Sequence, residues 1–218
     1  MFRAIVFDFD GLILETEQPI YQSWLEVYRA HGEELPYERW IQTVGSTNAT
    51  FHPQHHLEER LGRALTQEVL ENRIARRTAL ILQNAVLPGV VDLIEAARRR
   101  GMEVGVASSS ACDWVRGHLL RLGILHRFDC IRCRDDVAHA KPEPDLYLSV
   151  LDCLGVRASE AFAVEDSPNG ITAAKRAGMK CLAVPNPITE RLDLSHADAV
   201  VRSLADVNLD EVMERLQP

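Results

Sequence analysis

Short apolar runs recur along the chain and alternate with segments of helical periodicity. Ala4-Ile-Val-Phe, Glu103-Val-Gly-Val-Ala, Ala161-Phe-Ala-Val, Lys180-Cys-Leu-Ala-Val and Ala199-Val-Val read as strands. Between them, Val90 to Arg100 places Val90, Val91, Ile94 and Ala97 on one face, and Asp145–Leu154, Gly170–Ala177 and Leu209–Leu216 repeat the pattern. Strands that alternate with helices predict an α/β fold, a doubly wound parallel sheet covered on both faces. Ligands of such sheets gather at the carboxyl ends of the strands.

One stretch breaks the alternation. From about Thr16 to Ala85 no strand pattern occurs. Glu17 to His31 carries Ile20, Trp24, Val27 and Tyr28 at helical spacing, Pro53 to Leu61 reads as a shorter helix, and Thr66 is placed to cap a helix reaching Leu82. Leu87-Pro88-Gly89 then signals a turn. The expected organisation is a core domain of residues 1–15 and 88–218, with an all-helical cap of residues 16–87 inserted after the first strand. Trp24 is expected in the core of that cap.

Charge narrows the functional classes. The 32 acidic residues outnumber 24 basic ones, for a net charge of −8, so no nucleic-acid partner is expected. Arg98-Arg99-Arg100 reads as a solvated helix end. No apolar run is long enough to span a bilayer, the N-terminus runs straight into a strand without a signal peptide, and a cytoplasmic monomer is expected. The five cysteines are scattered and odd in number, which argues against a disulfide framework and fits a reducing compartment. Cys130 and Cys133 form a single CxxC in a strand-like run and are read as structural. His52, His55 and His56 read as an exposed helix face rather than a metal site.

Four clusters sit at predicted strand ends and should converge on one sheet edge. Asp8-Phe9-Asp10-Gly11 puts two carboxylates beside each other. That is costly unless a cation neutralises them, and carboxylate oxygens suit magnesium. A carboxylate can attack phosphorus, while its neighbour moves the proton. Ser108, Ser109 and Ser110 follow the second core strand and either hold an anion or cap the next helix. Lys141, one of only three lysines against 21 arginines, precedes Pro142-Glu143-Pro144 and is placed to neutralise a phosphoryl group. Glu165-Asp166-Ser167-Pro168 ends a strand and offers further metal oxygens, with Ser167 a helix cap.

These clusters, in this order, resemble the four motifs of the haloacid dehalogenase-like superfamily. Phe7-Asp-Phe-Asp-Gly-Leu-Ile-Leu-Glu-Thr-Glu looks like its first motif. Lys141-Pro-Glu-Pro-Asp and Glu165-Asp-Ser-Pro-Asn-Gly look like the versions of the β-phosphoglucomutase-like subfamily. The resemblance implies a Rossmann-like core and a magnesium-dependent phosphatase acting on a small phosphorylated metabolite. Asp8 would be the nucleophile and Asp10 the general acid/base. Ser108, Ser109 and Lys141 would bind phosphate. Asp8, Asp10 (through its backbone carbonyl) and Asp166 would bind the metal, with Glu165 nearby. The alternative is a sugar phosphomutase. Against it, Ile20 stands at the position of the mutases' cap histidine, and Ser46-Thr47-Asn48 stands where their cap arginine would follow. Arg39, Arg60 and Arg63 remain candidate cap cations. Glu15 replaces the family's usual aspartate. Asp10 argues against a metal-free dehalogenase, and the lack of any lysine before Lys141 argues against Schiff-base phosphonate chemistry.

Overall fold

A computed structural model of the protein describes residues 1–44 and 51–217. Six strands, β1 (Ala4–Phe7), β2 (Glu103–Ala107), β3 (Cys130–Arg132), β4 (Ala161–Glu165), β5 (Lys180–Ala183) and β6 (Ala199–Val200), form one sheet in the order β3-β2-β1-β4-β5-β6. Every pairing is parallel. Nine helices accompany them: α1 (Glu17–Ala30), α2 (Tyr37–Trp40), α3 (Pro53–Leu61), α4 (Gln67–Leu82), α5 (Val90–Arg99), α6 (Cys112–Arg121), α7 (Asp145–Leu154), α8 (Pro168–Arg176) and α9 (Leu209–Leu216) are those among the described residues.

The period of two along a strand divides the core. Ile5 and Phe7 of β1 join the cluster under α5, α6 and α9, whereas Ala4 and Val6 join the cluster under α7 and α8. All four side chains of β1 are fully buried, as a central strand covered on both faces requires. The chain winds outward from β1 through β2 to β3, then returns to β4 on the other side. The switch point, where loops diverge and leave a crevice, therefore lies at the carboxyl ends of β1 and β4.

Helices α1 to α4 contribute no strand to the sheet. They pack around their own apolar cluster, which includes Trp24, Tyr28, Trp40, Phe51 and Leu57. Thr66 caps α4 by accepting from the Val69 amide at 3.4 Å. The guanidinium of Arg73 covers the Trp24 ring at 4.5 Å. Of the three histidines expected on an exposed face, His52 and His55 are exposed, but His56 is not: it is half-buried against Tyr28, whose hydroxyl lies 2.9 Å from its Nδ1. No metal-ligand cluster among the described residues includes these histidines.

Two expectations need correction. Cys130 and Cys153 are joined as a disulfide, with Cα atoms 6.3 Å apart, although the odd and scattered cysteines argued against any cross-link. The 23-residue separation hid a pairing that exists only because α7 packs back on β3. The CxxC is also split, because residues three apart on an extended strand face opposite sides. Cys130 points to the α7 face and Cys133 to the α6 face, beside Cys112 and Asp136. Second, neither Ser109 nor Ser110 caps α6. Ala111 occupies the N-cap and makes no side-chain cap bond, which leaves both serines for other work. Among the described residues no helix is long and apolar enough to cross a membrane.

Candidate active site

The sequence-predicted residues do converge. Asp8 immediately follows β1, and its amide bonds the Val164 carbonyl of β4 at 2.9 Å, so the loop starts in register with the sheet. Gly11 turns that loop with φ of +80°, and a side chain there would run into the Asp166 carboxylate and the Asn186 amide. Lys141 arrives ahead of α7 and is 3% exposed. Its ammonium donates to Asp8 Oδ1, to Glu165 Oε1 at 2.6 Å and to the Ala107 carbonyl at 2.8 Å. One cation thus ties the ends of β1, β2 and β4 together.

Glu165 and Asp166 divide the labour at the end of β4. Glu165 is wholly buried and internally satisfied. Its Oε1 accepts from Lys141 and from the Tyr147 hydroxyl at 2.6 Å, and its Oε2 accepts from the Asp166 amide at 3.2 Å. Asp166 faces the loop after Asp8, where Asn186 donates to its Oδ2 at 2.7 Å. Ser167 caps α8 by accepting from the Gly170 amide at 3.2 Å. Carboxylate oxygens of Asp8, Glu165 and Asp166 all lie within 4.8 Å of one another.

Three acids so close, so deeply buried, cannot all ionise cheaply. Burial, opposed by Lys141 and reinforced by Glu165 and Asp10, pushes the Asp8 carboxyl up to about 7. Asp166 is pushed well above the usual carboxylate range by burial and then by Asp8 and Glu165. For Lys141, burial favours the neutral amine, but Asp8 and Glu165 outweigh it and hold the ammonium charged. Glu17, at the start of α1, is raised to about 8 by burial and by Asp10, Glu15 and Asp8.

Asp10 points elsewhere. Trp114 Nε1–H donates to its Oδ1 at 3.0 Å, and the Ser110 hydroxyl donates to its Oδ2 at 2.6 Å. The Ser108 hydroxyl sits beneath, 3.4 Å from the same oxygen, and accepts from the Ser110 amide at 3.0 Å. Asp10's carboxylate is thus engaged by Trp114 and Ser110 and is not one of the three acids whose oxygens cluster.

Above these groups lies a cavity of about 470 Å³. Asp8, Asp10, Lys141 and Asp166 form its base, and Ile20, Trp40 and Arg77 from the helical segment line it too. Ser109 and Ser110 line it, with Ser108 buried behind them. The Ser109 hydroxyl is buried with no protein partner. Glu15 sits where the first loop enters α1, its longer side chain accepting from the Gln18 amide at 3.0 Å while Asn84 holds its carbonyl at 2.8 Å. Ser46, Thr47 and Asn48 lie outside the described residues.

Sequence reasoning missed Trp114, Tyr147, Asn186, Glu17 and Arg77. Glu17 belongs to the first motif and was within reach. Trp114, Tyr147 and Arg77 sit on helices whose rotation toward the site is set by packing. Asn186 comes from the loop after β5, where no motif marks it.

Comparison with known proteins gives a consistent picture. The family described as haloacid dehalogenase-like hydrolase matches residues 5–184. YhcW of Bacillus subtilis, which carries a provisional name as a phosphatase, is 42% identical over 99% of this chain and 98% of its own. The phosphatase of validoxylamine A 7'-phosphate from Streptomyces hygroscopicus is 28% identical over 95% of this chain and 96% of its own. The crystal structure of CbbY from Rhodobacter sphaeroides in complex with phosphate is similar with a TM-score of 0.73 and 30% identity, covering 96% and 98% of the two chains.

Proposed function

The chain belongs to the haloacid dehalogenase-like hydrolases, and we propose that it is a magnesium-dependent phosphatase that cleaves a small phosphomonoester through an aspartyl-phosphate on Asp8. One observation carries this reading. A buried carboxylate at the end of the central strand lines a cavity, paired with a lysine and grouped with two further acids. Hard, closely spaced oxygens with raised proton affinity fit a small dication. Asp8, Asp166 and the Asp10 carbonyl would hold it. When bound, magnesium neutralises the acids and the phosphoryl oxygens, so that one anion can approach another.

The remaining work falls to the chain itself. Asp8 attacks phosphorus, and the bond to the leaving oxygen breaks. Asp10 gives a proton to that oxygen and later takes one from the water that hydrolyses the acyl phosphate. Lys141 and Ser109 hold phosphoryl oxygens, with Ser108 buried behind them, and the free Ser109 hydroxyl fits that task. Ser110 and Trp114 orient Asp10. Glu165 fixes Lys141, and Tyr147 fixes Glu165. Helices α1 to α4 act as a cap whose closure excludes water before attack.

Ile20 supports hydrolysis over mutase chemistry. It presents an apolar wall to the cavity at the position where the mutases of the family carry a histidine. The test is release of phosphate from 4-nitrophenyl phosphate with magnesium. Wild type should turn over and Asp8→Asn should not, and equal rates would remove the proposal.

A further inference from the structure

A second set of metal-ligating side chains meets on the α6 face of the sheet, and none of its members belongs to the catalytic acid cluster. Cys112 is the first residue of α6, Cys133 directly follows β3, and Asp136 closes the short 3-10 turn after it. Both sulfurs and a carboxylate oxygen lie within 4.8 Å of one another. Cys112 Sγ stands 3.3 Å from Asp136 Oδ2. Zinc bonds sulfur at about 2.3 Å and oxygen at about 2.0 Å, so neighbouring ligands of a tetrahedral site lie about 3.5–3.8 Å apart. Small side-chain rotations bring the three atoms to that spacing.

The surrounding backbone holds these groups in place. The Cys133 amide donates to Asp136 Oδ2 at 2.8 Å, and the Asp136 amide returns to the Cys133 sulfur. The Cys112 amide donates to Asp135 Oδ2 at 2.7 Å, and the Arg134 amide donates to the Ser110 carbonyl at 3.0 Å, which ties the turn to the segment leading into α6. Partners of this kind orient ligands before an ion arrives. Cys133 is buried, Cys112 half-buried and Asp136 exposed, so one side stays open to an entering ion and to water as a fourth ligand. Arg116 acts on Cys133 with a positive charge, which offsets the excess of two thiolates and a carboxylate over one dication. A cross-link between Cys112 and Cys133 would account for less. Both are free thiols in a structure that joins Cys130 to Cys153, and a disulfide has no use for the carboxylate beside Cys112. Thiolate ligands select zinc over magnesium, whereas the acids around Asp8 offer only oxygen.

We infer that Cys112, Cys133 and Asp136 form a second metal site, for a thiophilic dication of the zinc class. Burial holds both thiols in their protonated form without metal. The ion displaces one proton from each, and two metal–sulfur bonds form with no change of oxidation state. It clamps the start of α6, two residues beyond Ser110, to the turn after β3. Nothing in this site depends on phosphatase activity.

Cobalt(II) is the probe. The whole chain would be kept reduced with a phosphine, held in excess magnesium and titrated with cobalt(II). Only sulfur ligation produces the intense ultraviolet thiolate-to-cobalt band, so cobalt among the catalytic carboxylates is silent there. Wild type should show the band at one ion per chain, and zinc should abolish it. Cys112→Ser and Cys133→Ser should each halve the band per bound ion. They and Asp136→Ala should weaken binding by at least about tenfold, since even an outer-shell partner matters on that scale. Cys153→Ala should keep the band, which controls for thiols released from the Cys130–Cys153 cross-link. Thermal melts without added metal show which variants fold, and Cys112→Ser, at a half-buried position, decides if Cys133→Ser does not. No band in wild type, or a band that Cys112→Ser leaves intact, overturns the inference. So does peptide mapping that finds Cys112 joined to Cys133 after incubation with zinc in air.

Discussion

Replacing Lys141 by Met keeps the volume of the side chain and removes the charge that links three strand ends. The ammonium donates to Asp8, to Glu165 and to the Ala107 carbonyl, and all of it is buried. Glu165 would keep Tyr147 and the Asp166 amide, but three carboxylates would share a buried space with no countercharge. Breaking a buried ion pair by removing one partner costs roughly 3–5 kcal/mol. For a domain of this size that lowers the melting temperature by on the order of 10 °C. Loss of a preorganised positive group at the phosphoryl site should lower kcat by about 10²–10³. The diagnostic consequence runs the other way. With the competing cation gone, the acids should bind magnesium more tightly, and magnesium should restore much of the lost stability. Calorimetry gives the affinity, thermal melts with and without magnesium give the rescue, and steady-state assays give kcat. If Lys141→Met bound magnesium more weakly, or kept kcat within a few-fold of wild type, the assignment of Lys141 as the counter-ion of the acid cluster would be wrong.

Further consequences can be checked separately. Trp114→Phe removes the N–H that lies 3.0 Å from Asp10 but keeps an aromatic ring, and kcat should fall about tenfold, as expected for one lost orienting bond to a charged group; an unchanged kcat would deny Trp114 its orienting role. Gly11→Ala forces a Cβ against Asp166 and Asn186 at a positive φ, a strain of at least ~1–2 kcal/mol, and calorimetry should show weakened magnesium binding together with a lower melting temperature. The metal-free protein should lose stability as pH rises from about 4 to about 7, because the raised Asp8 and Asp166 carboxyls hold protons that the unfolded chain, with carboxylates near about 4, has released. Excess magnesium should flatten that slope in melts at pH 5 and 7.5, and a slope indifferent to magnesium would show that these acids do not share a cation.

Much of this arrangement was legible in the chain. The bounds of β1, α7 and α9 match the apolar pattern residue for residue, because the apolar run of β1 and the helical periodicity of α7 and α9 are unbroken. The helical segment between β1 and α5, the caps at Thr66 and Ser167 and the convergence of Asp8, Lys141 and Asp166 followed from turn chemistry and parallel topology. What escaped depended on three-dimensional packing. Helix α2 has four residues, too few for a period to show. The cross-link between Cys130 and Cys153 needs α7 to lie on β3. Ser109 and Ser110 had two local uses, and only the geometry showed that Ala111 takes the cap position. Trp114 and Arg77 sit on different helices, and no spacing rule joins them.

Trapping the covalent adduct is the most direct test of the account. Wild type would be quenched during turnover with magnesium, reduced with borohydride and digested with trypsin. Conversion of Asp8 to homoserine, within a peptide that begins at Ala4, is the predicted result. An adduct on Ser109 or Ser110, or turnover with no adduct at Asp8, would contradict it.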